Sequence, residues 1–207
     1  MPRWVSYRLT KESLEGSVER TDDFRPDPDL PAGRRSELED YRLSGFDRGH
    51  MAPAADFATS REAMSATFLL SNMAPQRPAL NRGIWAQLEK DIRLLAQGHG
   101  ALCVLTGGLF LDSLERPVEA SVFIGPHRVA VPSHFFKVIL CEHADGMWEM
   151  FAFVMANSSS ALPGGPRQYM KSVDEVEALS GLDFFNGMND ETEELLERAV
   201  ATSWVGQ

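Results

Sequence analysis

The clearest periodicity in the chain lies between residues 84 and 97, where apolar side chains recur at helical spacing. Gly98 and Gly100 follow this segment, and glycine commonly ends a helix. Because the apolar positions fall on one stripe, we predict a helix that packs on the core through that stripe. The stripe consists of Trp85, Leu88, Ile92 and Leu95.

Other parts of the chain have the patterns of strands. Residues 4–9 alternate, so Arg8 shares one face of a predicted strand with Trp4 and Ser6, while Tyr7 lies on the other face. Arg8 is therefore expected to project from a sheet rather than from a loop. Further strands are predicted at residues 68–70, 101–106, 122–124, 128–131, 135–141 and 147–155.

Turn and capping signals connect these elements. A tight turn at residues 143–146, with Gly146 at a position of positive φ, is expected to join the last two strands as a hairpin. Capping-box patterns predict short helices after Ser36 and after Thr59, and a longer one from Ser172 to Ser180. Two polar stretches rich in proline and glycine are predicted to be irregular, namely residues 10–35 and 157–168.

The chain end has its own character. Residues 189–204 begin with many acids, and Leu196, Val200 and Trp204 stand at i, i+4 and i+8, which predicts a short helix with a narrow apolar stripe. Three alternatives remain open for this helix: it docks on the domain, it contacts a second subunit or an inhibitor protein, or it repels nucleic acid. We see no repeat and no linker, so we expect residues 1–207 to form one domain, with 189–207 as an acidic C-terminal helical extension.

Charge changes the picture only when its distribution is considered. The net charge of the 207 residues is -10, which is unfavourable for a nucleic-acid binder. Residues 1–171 hold 19 Lys+Arg and 21 Asp+Glu, a net charge of -2, whereas residues 172–207 hold one base and nine acids. A locally basic cleft is therefore compatible with the composition.

Targeting and cysteine signals are sparse. The first residues lack the apolar core of a signal peptide, so we expect a cytoplasmic protein or one exported by a non-classical route, unless an upstream segment is missing. No apolar run has the length of a membrane span, and no membrane partner is expected.

Cys103 and Cys141 lie in apolar runs and are predicted to be buried thiols. Zinc is not expected, because Cys141 and His143 are the only close Cys/His pair.

Four consecutive residues, Asp47-Arg48-Gly49-His50, combine side chains suited to phosphate chemistry. The imidazole of His50 can accept a proton near neutral pH, and the guanidinium of Arg48 can hold a phosphate with two hydrogen bonds. Gly49 lets the backbone approach a neighbouring group closely. A charged surface turn is the alternative interpretation of this motif when it is taken alone.

Together with later segments, this motif closely resembles the DNA/RNA non-specific endonucleases, the ββα-metal family that includes endonuclease G and bacterial sugar-non-specific nucleases. The resemblance runs from about the first strand to about Phe185. The blocks that match in order are Tyr7-Arg8, Asp47 to Pro53, Ser71 to Gln76, Asn81 to Glu89, Val129 to Val138 and Ser180 to Phe185.

The resemblance implies an α+β, ββα-metal (His-Me finger) fold with a central antiparallel sheet flanked by helices. It also implies a Mg²⁺-dependent endonuclease that hydrolyses DNA and RNA with little sequence specificity, in which Mn²⁺ can substitute. By the same resemblance, His50 is the general base, and Arg8 and Arg48 bind the scissile phosphate. The matching positions that support the site are Asp47, Asn72, Gln76 and Arg82.

The metal is expected to depend on Asn81. Mg²⁺ keeps several waters and is often held by few protein ligands, so one amide oxygen can suffice. Glu89 lies about two turns into the predicted helix, where it can accept hydrogen bonds from metal-bound water. Two local alternatives stay open: Asn81 can be a helix N-cap, and Glu89 can be a surface residue paired with Arg93. The motifs hold no carboxylate cluster for a second metal.

Other functional classes are less well supported. A catalytically silent nucleic-acid or phosphate-binding module of the same fold remains the alternative, although His50 and Asn81 are both present. The sequence has no Gly-x-Ser-x-Gly motif of a serine hydrolase. The expected partners are DNA and RNA, with a homodimer and an inhibitor or immunity protein as open alternatives.

Overall fold

The computed structural model describes residues 1–143 and 146–204, which form an α+β architecture. The strands are β1 (Trp4–Thr10), β2 (Asp47–His50), β3 (Met73–Gln76), β4 (Ala101–Leu109), β5 (Phe123–Ile124), β6 (Val129–Ala130), β7 (His134–Glu142), β8 (Trp148–Ala156) and β9 (Met170–Lys171). The α-helices are α1 (Lys11–Leu14), α2 (Leu38–Tyr41), α3 (Arg61–Ala66), α4 (Pro78–Asn81), α5 (Ile84–His99), α6 (Val173–Ser180) and α7 (Asp190–Glu197). Short 3-10 helices lie at Ala54–Phe57, Leu70–Asn72 and Pro166–Tyr169.

A central antiparallel sheet with the strand order β1-β4-β7-β8-β9 organises the molecule. Its middle strand β7 is buried on both faces. Phe135, Ile139 and Cys141 point to the core shared with α5, whereas Phe136 and Val138 point to a second core shared with α6. This two-sided burial explains why β7 is a nearly continuous apolar run rather than an alternating one.

Helix α5 forms where the periodicity predicts it. All four residues of the predicted stripe are buried, and the helix ends at His99 with Gly100 as its C-cap at φ +96°. A positive φ of this size favours glycine, which explains the sharp end of the helix. Within the described part of the chain, no helix has both the length and the apolarity that crossing a membrane requires.

The site is built on a small unit beside the central sheet. Strands β2 and β3 pair antiparallel, with Asp47 opposite Gln76 and His50 opposite Met73. One residue separates β3 from α4, and two residues separate α4 from α5. The unit is therefore a pair of antiparallel strands followed by helices, and it brings the 47–50 motif beside the start of α5.

Several predicted elements differ in the structure. Residues 68–70 are not a strand: Leu70–Asn72 is a 3-10 turn, and the strand begins at Met73. A short apolar run cannot by itself distinguish a strand from a buried turn. The irregular stretches also contain short elements that were not predicted, namely α1 and the 3-10 helix at Pro166–Tyr169.

The C-terminal helix is shorter than predicted. It ends at Glu197, so Val200 and Trp204 do not lie on it. Trp204 is nevertheless buried, because the following segment folds back and packs the indole on Phe151 and Phe153 of β8. The turn predicted at residues 143–146 includes Ala144 and Asp145, and the predicted extension includes residues 205–207; these five residues lie outside the described part.

Candidate active site

A cleft of about 370 Å³ opens where the β2–β3 unit meets the start of α5. It is strongly polar, and arginines supply much of its wall. Asp47, Arg48, His50, Asn81, Arg82 and Glu89 were predicted from the sequence, and all of them line this cleft. The other residues that line it are Arg20, Phe24, Pro53, Ala54, Ala55 and Arg93.

Asp47 fixes the orientation of Asn81. The amide Nδ2 of Asn81 donates to Asp47 Oδ2 at 2.9 Å, while Arg82 binds both carboxylate oxygens at 2.8 and 2.6 Å. Partial burial opposes ionisation of Asp47, but the hydrogen bonds from Arg82 and Asn81 outweigh it and lower the pKa of the carboxyl. Because an ionised carboxylate only accepts, Asn81 must present its nitrogen to Asp47, which leaves its Oδ1 available.

Asn81 is the last residue of α4, and the N-cap of α5 is Gly83. The alternative role of Asn81 as the N-cap of α5 is therefore wrong. The chain makes a short break between the two helices, and this break is what sets Asn81 at the cleft rather than on the flank of α5. Its side chain is partly exposed there and held only through Asp47 among the described residues.

His50 sits against an aromatic wall. Its ring meets Phe24 and Phe68 edge-on at centroid distances of 5.7 and 4.9 Å. Burial, and then the Arg20 guanidinium, lower the pKa of His50 to about 4. Nε2 is buried and has no hydrogen-bond partner among the described residues, so Nδ1 is the ring nitrogen available to take a proton. The imidazole is thus neutral at physiological pH.

The same aromatic wall supports two arginines. The guanidinium of Arg48 lies 4.0 Å above the ring of Phe24, and that of Arg20 lies 4.7 Å from the ring centroid of Phe68. Stacking on aromatic rings holds a guanidinium in place while leaving its N–H groups free to bind an anion. Both guanidinium groups therefore line the cleft beside His50 and can bind an anion there.

Glu89 interacts with three charged side chains, those of Lys137, Asp56 and Arg93. Burial raises the pKa of Glu89 to about 7, and the ammonium of Lys137 opposes this shift. Lys137 is fully buried on β7 and donates to Thr106 Oγ1 at 2.7 Å. Arg93 binds Asp56 at 2.9 Å, so the ion pair that it makes among the described residues is not the i+4 pair with Glu89 that was left open as an alternative. The carboxylate of Glu89 remains directed to the cleft.

Arg8 is not among the residues that line the cleft, so its position gives no support to its expected role at the scissile phosphate, which stays a prediction. It shares the exposed face of β1 with Trp4 and Ser6, as the alternation predicts. Tyr7, on the opposite face, is the residue that points toward the site, and its hydroxyl donates to Asp56 at 2.6 Å. The alternation predicted for this strand is confirmed, and Arg8 lies on its exposed face.

Asn72 and Gln76 are buried below the site and are absent from the cleft lining. The side chain of Asn72 accepts from the Ala52 N–H at 3.0 Å and donates to the carbonyls of Ala52 and Thr67. It thereby ties the segment after His50 to the segment before β3. Gln76 packs against Gly49, where an added Cβ would lie 2.1 Å from the glutamine Oε1. Both residues thus help to hold the β2–β3 pair, which carries the motif, in its conformation.

Sequence reasoning missed Arg20 and Arg93 as parts of the site. Arg20 lies in a segment without secondary structure, and nothing in its local pattern distinguishes it from a solvated charge. Arg93 had a local signal, since it stands one turn after Glu89 on the same helix. Only the tertiary fold brings both arginines to one cleft with Arg48 and His50.

The donor set suits a hard divalent cation. The cleft offers the amide oxygen of Asn81 and the carboxylate of Glu89, and oxygen is the ligand that Mg²⁺ and Ca²⁺ prefer. No cysteine lines this cleft among the described residues, so soft-metal ligation is not favoured there. With so few protein donors, most of the coordination would be left to water and phosphate.

Two antiparallel strands are followed by a helix, with His50 at the end of the first strand and Asn81 just before the helix. This is the arrangement of a ββα-metal nuclease. A sequence model of the DNA/RNA non-specific endonuclease family matches residues 1–191. The chain belongs to the DNA/RNA non-specific endonuclease family, and this family of metal-dependent nucleases implies a divalent metal ion.

Individual relatives agree with this assignment. Human mitochondrial endonuclease G is 42% identical over 187 residues, which cover 87% of this chain and 62% of that protein. Nuclease C1 of Cunninghamella echinulata var. echinulata is 40% identical over 197 residues, covering 91% and 77%. A chain in the crystal structure of the EndoG/EndoGI complex, which concerns the mechanism of EndoG inhibition, superposes with a TM-score of 0.85 at 36% identity, covering 92% of this chain and 80% of that one.

The match to endonuclease G is partial in length. The chain spans 62% of the human and bovine endonuclease G sequences.

Proposed function

We propose that this protein is a divalent-metal-dependent endonuclease that hydrolyses phosphodiester bonds of DNA and RNA with little sequence specificity. The observation that carries the proposal is the single cleft in which neutral His50, Asn81 held by Asp47, and stacked arginines face one another. A base, a metal ligand and anion-binding cations are what phosphodiester hydrolysis needs.

His50 is the general base in this proposal. Its lowered pKa keeps the ring unprotonated at working pH, so Nδ1 can accept the proton of the attacking water. The nearby guanidinium groups of Arg20 and Arg48 also disfavour protonation before substrate binds. Once the phosphate has neutralised these cations, the imidazole becomes more basic in the complex, where the proton is transferred.

The arginines bind the phosphate. Arg20 and Arg48 flank His50 and present guanidinium groups that can each hold two phosphate oxygens and stabilise their growing charge. Arg93 lines the cleft from α5, but one of its nitrogens is already bound to Asp56. We therefore assign the main contacts to Arg20 and Arg48.

Asn81 would hold the metal ion through Oδ1, and Glu89 would accept hydrogen bonds from its water ligands. When bound, a Mg²⁺ or Mn²⁺ ion would supply Lewis-acid stabilisation of the phosphoryl and leaving oxygens. The role of the protein here is orientation. The bond from Asn81 Nδ2 to Asp47, and the bond from Asp47 to Arg82, keep the amide oxygen turned to the cleft.

Low specificity follows from the lining of the cleft. The aromatic ring of the cleft, Phe24, is covered by Arg48 on one face and met by His50, so it offers little surface for stacking a base. Backbone phosphate is common to DNA and RNA, and the cations bind phosphate rather than bases.

We also propose that residues 1–207 form one nuclease domain, which is supported by the packing of Trp204 on β8.

The test is cleavage of plasmid DNA and of RNA by the purified chain with Mg²⁺, with Mn²⁺ and with EDTA. We expect cleavage of both substrates that EDTA abolishes. His50→Ala should reduce turnover by about 10²–10⁴-fold at saturating metal, whereas Asn81→Ala should also raise the metal requirement. His134→Ala, a half-buried histidine outside the cleft, is the matched control. Binding of nucleic acid without turnover under any metal would instead support a silent binding module.

A further inference from the structure

A second group of metal-binding side chains lies at the other end of α5. His99 is the last residue of that helix, Cys141 lies near the end of β7, and His143 follows the strand. One ligand atom from each residue lies within 4.8 Å of the others. Cys141 and His143 are a close pair in the sequence, but nothing there connects them with His99, which stands 42 positions before Cys141. It lies ten residues beyond Glu89, or about 15 Å along the helix.

We propose that His99, Cys141 and His143 bind a zinc ion, or a similarly thiophilic divalent cation, at a site distinct from the catalytic cleft. Thiolate sulfur and imidazole nitrogen are both zinc ligands, and with three protein donors the fourth position of a tetrahedral site would be left to water. Bonds of about 2.0 to 2.3 Å need donor atoms closer than 4.8 Å, and small rotations of the two histidine side chains can provide this closure. Zinc was not expected from the sequence, and the tertiary contact with His99 is what alters that expectation.

The surroundings of His143 support ligation. Its Nε2 lies 3.2 Å from Glu149 Oε2, which leaves Nδ1 as the nitrogen available to an ion. A carboxylate on the far nitrogen of a histidine ligand is common in metal sites, because it fixes the ring and increases its basicity. Glu149 is itself held, since the hydroxyl of Ser203 donates to its other oxygen.

Other features of the cluster also bear on cation binding. Burial raises the pKa of the Cys141 thiol to about 11, so a bound ion would have to displace its proton. His99 stands at the C-terminus of a sixteen-residue helix, where the helix dipole attracts positive charge. Cys141 is fully buried and the two histidines are half-buried, so an ion can enter past the imidazoles and reach the sulfur. Cys103 cannot compete as a disulfide partner, because it packs toward the opposite face of the sheet. Both cysteines are free thiols.

Such a site would connect the last residue of α5 with the end of β7 and the residue that follows it. The rings of His99 and His143 already meet edge-on at 4.6 Å. An ion bound to both would fasten the end of α5 to the β7–β8 pair. Because binding would be confined to the folded chain, it would raise the unfolding temperature.

The test uses the full chain carrying Asn81→Ala, so that the proposed catalytic metal ligand is absent, after removal of metal with a chelator. Equilibrium dialysis against Zn²⁺ should give one tightly bound ion per chain. His99→Gln and Cys141→Ala should each abolish tight binding, and Glu149→Gln should weaken it by about 10–100-fold. His134→Gln and Cys103→Ala, at a histidine and a cysteine outside the cluster, should keep it.

Two further measurements guard against misfolded variants. Co²⁺ should give a thiolate-to-metal charge-transfer absorption in the Asn81→Ala chain that Cys141→Ala lacks. Zn²⁺ should raise the melting temperature of the Asn81→Ala chain but not of its His99→Gln variant, which removes a half-buried side chain at a helix end. Absence of tight Zn²⁺ binding, Co²⁺ spectra without a thiolate band, or unchanged binding in His99→Gln would each overturn the proposal.

Discussion

The neutral state of His50 is set by what surrounds the ring. Phe24 and Phe68 remove it from water, and Arg20 and Arg48 add positive charge beside it. All four effects disfavour the imidazolium in the free protein. In the proposed mechanism His50 must be unprotonated before the substrate arrives, and these surroundings suit that role because an arriving phosphate would reverse the electrostatic part of the effect.

In the metal-free protein, NMR titration of the His50 ring should give a midpoint of about 4. Arg20→Gln should raise this midpoint, because Arg20 is the largest contributor after burial, whereas Arg34→Gln, at an exposed arginine outside the cleft, should leave it unchanged. Since folded His50 takes a proton less readily than the unfolded chain, the free energy of unfolding should fall as pH decreases from about 6.5 toward 4. A midpoint near the unperturbed value would contradict this account.

The orientation of Asn81 gives a second prediction. In Asp47→Asn the new amide can donate as well as accept, so it no longer forces the Asn81 nitrogen toward it. The metal concentration for half-maximal cleavage should rise about 10–100-fold, with a smaller change in turnover at saturating metal. Arg82→Gln keeps the bond between Asp47 and Asn81 and should have a weaker effect on metal dependence. Equal effects of the two variants would mean that charge, not orientation, matters.

At this scale the sequence predicted the residues that belong to local motifs. His50, Asn81 and Glu89 stand in short patterns whose chemistry can be inferred from neighbouring residues, and all three line the cleft. Arg20 could not be predicted, because it lies far from the motif in the sequence and only the tertiary structure brings it to the cleft. Arg8 does not line the cleft, and the strand pattern could not indicate this, because it gives two faces but not which of them lies toward the site.

Among the elements, the β2–β3 pair depends on a close contact between the backbone of Gly49 and the side chain of Gln76. Gly49 is buried, and Gln76 of the neighbouring strand occupies the space where a Cβ would stand. The backbone of Gly49 does not require positive φ, so steric room rather than conformational freedom explains the glycine. The close contact holds the two strands in the register that places His50 at the cleft.

Gly49→Ala should therefore destabilise the protein by about 1–3 kcal/mol through overpacking, and it should lower activity by displacing His50. The free energy of unfolding from urea denaturation measures the first effect. Gln76→Ala in the Gly49→Ala chain should recover part of the loss, since it removes the atoms that clash. Gly98→Ala is the matched control on α5, where an added Cβ meets no atom within 4 Å. A loss that Gln76→Ala does not reduce would exclude this contact as the cause.

Elements with a long period were predictable, and short ones were not. The stripe of α5 repeats over three turns, so its register and its burial followed from the sequence. The run at residues 68–70 has only three members, and an interaction with another segment decides its shape: Leu70 donates its N–H to the carbonyl of Arg25. Local pattern contains no information about that partner.

Across the whole molecule, α5 links two sites of different chemistry. Its first half contributes Glu89 and Arg93 to an oxygen-rich, cationic cleft, and its last residue contributes His99 to a sulfur and nitrogen cluster. The fold class could be predicted from the order of strands and helices together with the family resemblance. The second cluster could not, because its members come from separate elements and only tertiary packing brings them together.

The acidic end of the chain carries charge that would repel nucleic acid, which is the substrate class of the proposed function. Residues 172–207 hold one base and nine acids, and helix α7 presents several of them to solvent. The segment after α7 is anchored by Trp204, which is buried on Phe151 and Phe153. Docking through Trp204 and repulsion through the exposed acids are therefore separable by mutation.

We expect that neutralising exposed acids of α7 tightens nucleic-acid binding. The variant Asp190→Asn, Glu191→Gln and Glu194→Gln should be prepared in a His50→Ala chain, so that DNA survives the measurement. Its affinity for duplex DNA should exceed that of His50→Ala alone at low salt, and the difference should shrink as screening shortens the range of the repulsion. Trp204→Ala should instead lower stability by about 3–5 kcal/mol. Light scattering provides the decisive comparison: an unchanged mass with tighter binding supports electrostatic guarding, whereas conversion of a dimer to a monomer would identify α7 as a subunit interface and contradict it.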